Sequence, residues 1–420
     1  GQCMPNETSR REFVKDGLRG AAVGMVASHV SSRVLGANDR IRIGLIGCGG
    51  RGNYLLGKFL ENSDSLNMEV GALCDVWKVN LQKTAKRLQE RPARRPHLSS
   101  RFQDLLSQGD VDAVIIATPD FAHTPILIEA TRLKKDAYVE KPMATRVEHA
   151  NEALDLVREY DTIVQVGTQR RSDPRYHEAA KLLQTGILGK VSEVEAAWHD
   201  SKPRWARDFR DVREDEVDWP QYLMFLPPER FSPERFRRWH LFEDFTVGTP
   251  GLLGSHLIDV ATWFMDDPLP ATAVANGGVY VWKDGREHAD TLDCVLEYPK
   301  GFLLNYSTRL GNKFPVPYGT DRPLPTTFFG TLGTFDTSSW KAQGLGGGEH
   351  ALAESVEVPP GLEDERHMRN WLECLRNRKT PNASIEAGYG HSIASIMCYR
   401  AWKTGQRQYF NQQERKVGTS

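Results

Sequence analysis

Gly47-x-Gly49-x-x-Gly52 follows an apolar run, Ile41–Ile46, and precedes the helical stretch Asn53–Leu60. In that setting Gly47 permits a tight turn, Gly49 lets the backbone approach a pyrophosphate, and Gly52 lets helix and strand pack closely. Gly50 and Arg51 complete the turn, and phosphate charge there would meet the free amides of a helix N-terminus. Asp75 closes the next apolar run, roughly twenty residues after Gly52, where a carboxylate accepts hydrogen bonds from the adenosine ribose. The same carboxylate repels a 2′-phosphate, so NAD is the expected cofactor, with NADP possible because Lys78 stands nearby. An ordinary glycine turn is the alternative.

Two further residues could move a proton. Lys141 lies between a strand-like run and Pro142, which biases it to extended geometry. A lysine there can hydrogen-bond a substrate hydroxyl and help move its proton; a surface lysine pairing with Glu140 is the alternative. Gly254-Ser255 precedes a helical stretch, with Ser255 as the expected N-cap. His256, Asp259, Val260 and Trp263 then share one face, and Leu257, Ala261 and Phe264 the other. Asp259 could hold the His256 imidazole in one tautomer; a structural histidine packed in the helix is the alternative.

The elements that must position these residues alternate. Apolar runs Ile41–Ile46, Val70–Cys74, Val111–Ala117, Ala137–Val139 and Ile163–Val166 read as strands, with helical stretches Leu81–Leu88, Thr124–Leu133 and Arg146–Glu159 between them. That pattern implies an α/β Rossmann domain with a doubly wound parallel sheet, over residues 38–166. Thr118-Pro119-Asp120, Glu140-Lys141-Pro142 and Thr168-Gln169 fall at strand ends, the edge where such sheets bind ligands. From residue 167 to 420 the rhythm changes to an α+β domain with a large, mostly antiparallel open sheet. Tyr176–Gln184 reads as a helix, and Val191–His199, Ala271–Trp282, Thr291–Tyr298 and Phe302–Leu310 as strands. Residues 204–238 carry eight Arg and eight Asp/Glu and read as a solvated insertion. Residues 311–350, rich in Gly and Pro, read as a long loop, a lid or a subunit contact; 363–378 and 385–404 read as helices.

Composition narrows the function classes. Lys+Arg is 54 and Asp+Glu 55, a net charge of −1, which gives no support for a nucleic-acid or membrane-surface partner. The six cysteines, at 3, 48, 74, 294, 374 and 398, form no CxxC pair; buried free thiols are expected, and no metal site. Arg10-Arg11, the mildly apolar Gly20–Ser28 and Leu35-Gly36-Ala37 describe a twin-arginine export signal over residues 1–37. The expected location is periplasmic, or cytoplasmic if this stretch is instead a basic amphipathic helix.

The blocks GLIGCGGRG (44–52), CDV (74–76), DAVIIATPDFAH (112–123), YVEKPMA (138–144), VQVGTQRRSDPRY (164–176), LLQTGILGKV (182–191), GSHLID (254–259) and HMRNWLECLRNRKTP (367–381) resemble the glucose–fructose oxidoreductase / inositol dehydrogenase / MocA (Gfo/Idh/MocA) family, in particular its exported members. The resemblance implies NAD(P)-dependent oxidation or reduction at a hydroxyl of a sugar, glycoside or polyol, in a homodimer or homotetramer joined through the second domain's sheet. It implies catalytic roles for Lys141, His256 and Asp259, with His256 exchanging the hydroxyl proton. The cofactor-facing set becomes Gly47, Gly49, Gly50, Arg51, Gly52, Asp75, Thr118, Pro119, His123, Glu140, Lys141 and Gln169. Lys141, Gln169, Arg170, Arg171, His199 and His256 form the expected substrate wall. Leu252 stands where many relatives carry aspartate, four residues before the histidine. A second reading keeps the cofactor bound for redox-neutral glycoside cleavage, epimerisation or elimination. Trp198, Trp205, Trp219, Trp239 and Trp263 offer indole faces for stacking on a sugar.

Overall fold

Ile41–Ile46 (β1) is buried at almost every position, as a strand covered on both faces must be. Met68–Cys74 (β2), His97–Ser99 (β3), Ala113–Ile116 (β4), Asp136–Val139 (β5) and Val164–Val166 (β6) join it in a parallel sheet ordered β3-β2-β1-β4-β5-β6. The order reverses between β1 and β4, so the carboxyl ends of those two strands open the ligand crevice. The computed structural model describes residues 39–90, 95–314, 325–347, 351–359 and 366–420; the twin-arginine stretch at 1–37 lies outside them.

Gly50–Ser63 (α1), Lys78–Gln89 (α2), Phe102–Leu106 (α3), Asp120–Arg132 (α4) and Val147–Tyr160 (α5) connect these strands. α4 begins at Asp120, directly at the end of β4, and not at Thr124. Pro174–Gln184 (α6) opens with Asp173 as its cap, whose Oδ1 accepts from the Arg175 amide at 2.8 Å, and with proline at the first helical position, where a missing N–H costs nothing.

The second sheet is built from Val191–His199 (β7), Thr272–Gly278 (β8), Thr291–Tyr298 (β9), Phe302–Arg309 (β10), Thr326–Gly330 (β11), Thr334–Asp336 (β12), Lys341–Gln343 (β13), Val356–Glu357 (β14), Gln408–Asn411 (β15) and Lys416–Gly418 (β16). Its order is β14-β13-β12-β11-β7-β10-β9-β8-β15-β16. All described pairings are antiparallel except β10 on β7. Along β10 buried and more exposed residues alternate, the signature of a sheet with one covered face. Ser255–Met265 (α9) packs on the second sheet, and Ile385–Thr404 (α11) packs against β6 of the first sheet and β8 and β9 of the second; Trp219–Leu223 is α7, Pro233–Arg237 α8 and His367–Asn377 α10.

Two expectations fail here. The segment 204–238 is not merely a solvated insertion: Val212, Val217, Trp219, Tyr222, Leu223, Leu226 and Phe236 are buried in the main core. Its charges pair locally, as Arg213 with Glu216 and Arg238 with Glu234, while its apolar residues turn inward; each large side chain so buried contributes ~1.5–3 kcal/mol. Nor is 311–350 simply a loop. Its described part supplies β11, β12 and β13, strands too short and glycine-punctuated to show a period. Cys48, Cys74, Cys294, Cys374 and Cys398 are buried free thiols. Among the described residues no helix is long and apolar enough to cross a membrane, and no cluster of three or more His, Cys, Asp or Glu stands ready to hold a metal ion.

Candidate functional site

The glycine turn has the shape that a pyrophosphate needs. Gly47 has φ +94°, and a Cβ there would lie 2.5 Å from the Ala117 carbonyl oxygen; at Gly52 a Cβ would lie 1.8 Å from the Gly47 carbonyl oxygen. Neither position accepts a side chain without moving backbone. Gly50 is the opposite case, with nothing within 4 Å of a Cβ: the space above it is open. Both Gly49 and Gly50 line a cavity of about 240 Å³ with Asp75, Thr118 and Pro119. Trp77 Nε1, Thr118 Oγ1 and His240 Nδ1 are buried without hydrogen-bond partners, and all three residues line the same cavity. Such orphaned atoms cost ~1–3 kcal/mol each, a cost that a polar ligand relieves. The residues present therefore fit a dinucleotide.

Asp75 has a role beyond the one its position suggested. Its Oδ2 accepts from the Cys48 amide at 2.7 Å and its Oδ1 from the Trp77 amide at 2.8 Å. The carboxylate thus pins the glycine turn to the end of β2, and burial pushes its pKa up to about 6 against the pull of these amides. The carboxyl also lines the cavity, where the sequence spacing expects the ribose. NAD is expected to bind at least tenfold tighter than NADP at pH 8, equivalent to ~1.4 kcal/mol. Because the carboxyl gains its proton near pH 6, the preference should shrink at pH 5.5. Titration calorimetry with both cofactors at the two pH values checks this; equal affinity at pH 8 would remove Asp75 as the discriminating group.

Lys141 sits on a cis Lys141–Pro142 bond at the end of β5. Its Nζ donates to the Leu252 carbonyl at 2.7 Å, and burial lowers its pKa, opposed by Asp120 and Glu140. The surface pairing with Glu140 is absent: Glu140 Oε1 accepts from Arg51 Nε at 2.6 Å, and Oε2 from the Lys141 backbone amide at 3.2 Å. Arg51 and Glu140, expected at the cofactor, hold each other across the crevice. The carbonyl that receives Lys141 belongs to a π-helical turn, Pro250–Gly254, of the kind found often at functional sites.

That turn runs without a break into α9, so Ser255 is not an N-cap. Its hydroxyl donates back to the Gly251 carbonyl at 2.7 Å. His256 follows, half-buried, with its ring 6.2 Å from that of Trp198. Burial, then Lys141, Arg170 and Arg51, hold its pKa well below the usual histidine range, so the ring is neutral at pH 7. The expected Asp259–His256 pairing is absent. Asp259 accepts from Arg171 Nε on both oxygens at 2.9 Å and lies 3.9 Å from His391 Nδ1. A guanidinium outbids a neutral imidazole for a buried carboxylate. Arg171 is thereby tied to α9 and does not offer its Nε to a substrate.

The remaining expected residues divide. His123 is fully buried, its ring nitrogens 2.9 Å from the Pro142 and Thr118 carbonyls; it fastens two strand ends and does not face the cavity. Gln169 is exposed on the short turn Gln169–Ser172, where Arg170 also stands, its guanidinium 5.7 Å from the Tyr176 ring. His199 ends β7 with Nδ1 unpartnered, its pKa pushed down to about 4 by burial and Arg309. Sequence reasoning passed over Asp120, which is buried beside Lys141, accepts from the Thr246 hydroxyl at 2.7 Å, and has its pKa pushed by burial up to about 7. It also missed His240, stacked at 3.6 Å on Trp239, and His391 on α11. Only Asp120 had a visible signal, its place at the end of a strand.

Residues 41–168 match the family model of oxidoreductases with an NAD-binding Rossmann fold, and residues 180–409 match the model of the family's C-terminal alpha/beta domain. The chain belongs to the Gfo/Idh/MocA oxidoreductase family. It is an enzyme of that type, and its first domain is an NAD-binding Rossmann domain. Among curated relatives, the scyllo-inositol 2-dehydrogenase (NAD(+)) of Bacillus subtilis is 29% identical over 66% of this chain and 71% of its own length. A glycosyl hydrolase family 109 protein of Solibacter usitatus is 31% identical over 52% of this chain and 51% of its own. The match to the uncharacterized oxidoreductase YrbE of Bacillus subtilis spans only 40% of that protein. The aldose-aldose oxidoreductase of Caulobacter crescentus, solved with glycerol, shares the fold with a TM-score of 0.65 at 17% identity, over 88% of this chain and 99% of that one.

Proposed function

We propose that this oxidoreductase transfers hydride between NAD and a hydroxyl-bearing or keto carbon of a sugar, glycoside or polyol. The observation that carries the reading is the convergence of Lys141 and the neutral His256 at the carboxyl edge of the parallel sheet, beside a wall of tryptophan and leucine. Lys141 Nζ uses one donor on Leu252 O and has two left for a substrate oxygen. The His256 ring makes no hydrogen bond among the described residues and is available to take the hydroxyl proton at a ring nitrogen. When bound, the nicotinamide supplies the hydride acceptor or donor. The relation to an inositol dehydrogenase supports a polyhydroxylated substrate.

The relation to glycosyl hydrolase family 109 proteins favours a second reading, in which transient oxidation serves a redox-neutral cleavage of a glycoside. One experiment separates the two. The purified protein is incubated with a panel of polyols and glycosides while absorbance at 340 nm and product release are followed together. Net NADH formation supports the first reading; product without net absorbance change supports the second; neither rejects both.

We also propose that the enzyme acts in the periplasm. Replacing Arg10 and Arg11 together with lysine should then leave it in the cytoplasm on cell fractionation. Unchanged fractionation would discard the signal.

A further inference from the structure

Arg207 and Arg237 are the unabsorbed feature of the site. Both line the cavity beside Gly49 and Gly50, yet both come from the segment between β7 and α9, not from the Rossmann domain. The segment is fastened over the cleft at several points. Asp218 N donates to the Val76 carbonyl at 2.8 Å, Trp77 and Val217 form a β-bridge, and Lys78 Nζ donates to the Asp215 carbonyl at 2.9 Å. The two arginines are held near each other: Arg238 Nε donates to the Arg207 carbonyl at 2.7 Å, and Arg237 Nε reaches the Asp208 carbonyl at 3.4 Å. Arg237 also stacks over the Trp77 ring at 5.0 Å, two residues beyond Asp75.

Neither guanidinium pairs with a carboxylate among the described residues, although the segment is rich in acids and its other arginines are mostly paired with them. The charge bearing on Arg207 is that of Arg237. Two cations on the lining of one cavity favour an anion between them. The same cavity is lined by the glycine turn at a helix N-terminus, which itself favours negative charge. Guanidinium forks match phosphate oxygens in geometry as well as charge.

We propose that Arg207 and Arg237 are cofactor ligands contributed by the second domain, holding the dinucleotide's phosphates in the cavity that the glycine turn also lines. Binding the cofactor then requires both domains, and the insertion is part of the nucleotide site. This rests on the NAD-binding identity of the first domain.

The test compares NAD, ADP, adenosine and NADP on the full chain, stripped of nucleotide, as wild type, as Arg207→Ala/Arg237→Ala, and as the double lysine variant. Affinities are read by titration calorimetry at low and high salt. The alanine variant should lose at least tenfold for NAD and for ADP and less than threefold for adenosine, which has no phosphate. Its affinities should also depend less on salt. The lysine variant should recover part of the loss, the share due to charge alone, which separates charge from folding. Equal losses for ADP and adenosine, or losses under threefold for NAD, overturn the clamp. A loss confined to NADP overturns it too, by assigning the arginines to a 2′-phosphate. Wild-type protein that binds neither NAD nor ADP overturns both the clamp and the site it serves.

Discussion

Lys141→Ala is expected to lower turnover by about a thousandfold or more, within the ~10²–10⁴ range of general acid–base groups and the added loss of substrate positioning, while NAD affinity stays within about tenfold. The asymmetry follows from where each atom sits. The turn at Gly47–Gly52, shaped to receive a pyrophosphate on its backbone amides, is not touched by the substitution. Lys141 Nζ lies instead on the Leu252 carbonyl, at the start of the helix that carries His256. Removing it leaves that carbonyl without its donor and leaves Asp120 without the cation that draws its pKa down. Asp120 should therefore become protonated at neutral pH in the variant. Steady-state rates and a calorimetric NAD titration on the same preparation check both halves. A variant with near wild-type rate would remove Lys141 from the mechanism; one that loses NAD as completely as rate would recast it as a cofactor ligand.

Local rules were read well from the sequence, and long-range competition was not. The strand–Gly47-x-Gly49-x-x-Gly52–helix unit is legible because each glycine answers a constraint from its immediate neighbours. Asp75 was legible as a strand-end carboxylate, but not as the anchor of the Cys48 and Trp77 amides, because the Cys48 partner comes from another loop. The i, i+3 spacing of His256 and Asp259 suggested a pair; Arg171, 88 residues away, takes the carboxylate, and no local pattern announces that. Charge composition misread 204–238 for a similar reason. Tyr222 and Phe236 follow no helical or strand period there, so nothing in the sequence says that they face inward while the arginines around them line the crevice. His240 and His391 were invisible because each matters only through what folds against it.

Free inositol and free glucose are expected to be poor substrates, with kcat/KM roughly 5- to 150-fold below matched glycosides or deoxy, acetylated or already oxidised sugars, the range that ~1–3 kcal/mol spans. The expectation turns on Leu252. Its main chain serves Lys141, but the residue is 7% exposed and its side chain clusters with Leu253 and Leu310, with Trp198, Trp205, Trp239 and Trp282 packed against them. Trp198 is the ring beside His256, so this apolar patch borders the place where a reacting carbon must sit. A substrate hydroxyl facing it would give up its water and find no partner. A methyl, an acetyl group or the face of a second sugar would lose nothing and would gain contact with an indole. An aspartate at this position would reverse that preference by accepting from the hydroxyl. Here Asp259 cannot take over that task, since Arg171 holds it. Steady-state kinetics on matched pairs that differ only in the one hydroxyl decide the matter: a higher kcat/KM for the free polyol means that the wall of Leu252 does not face the substrate.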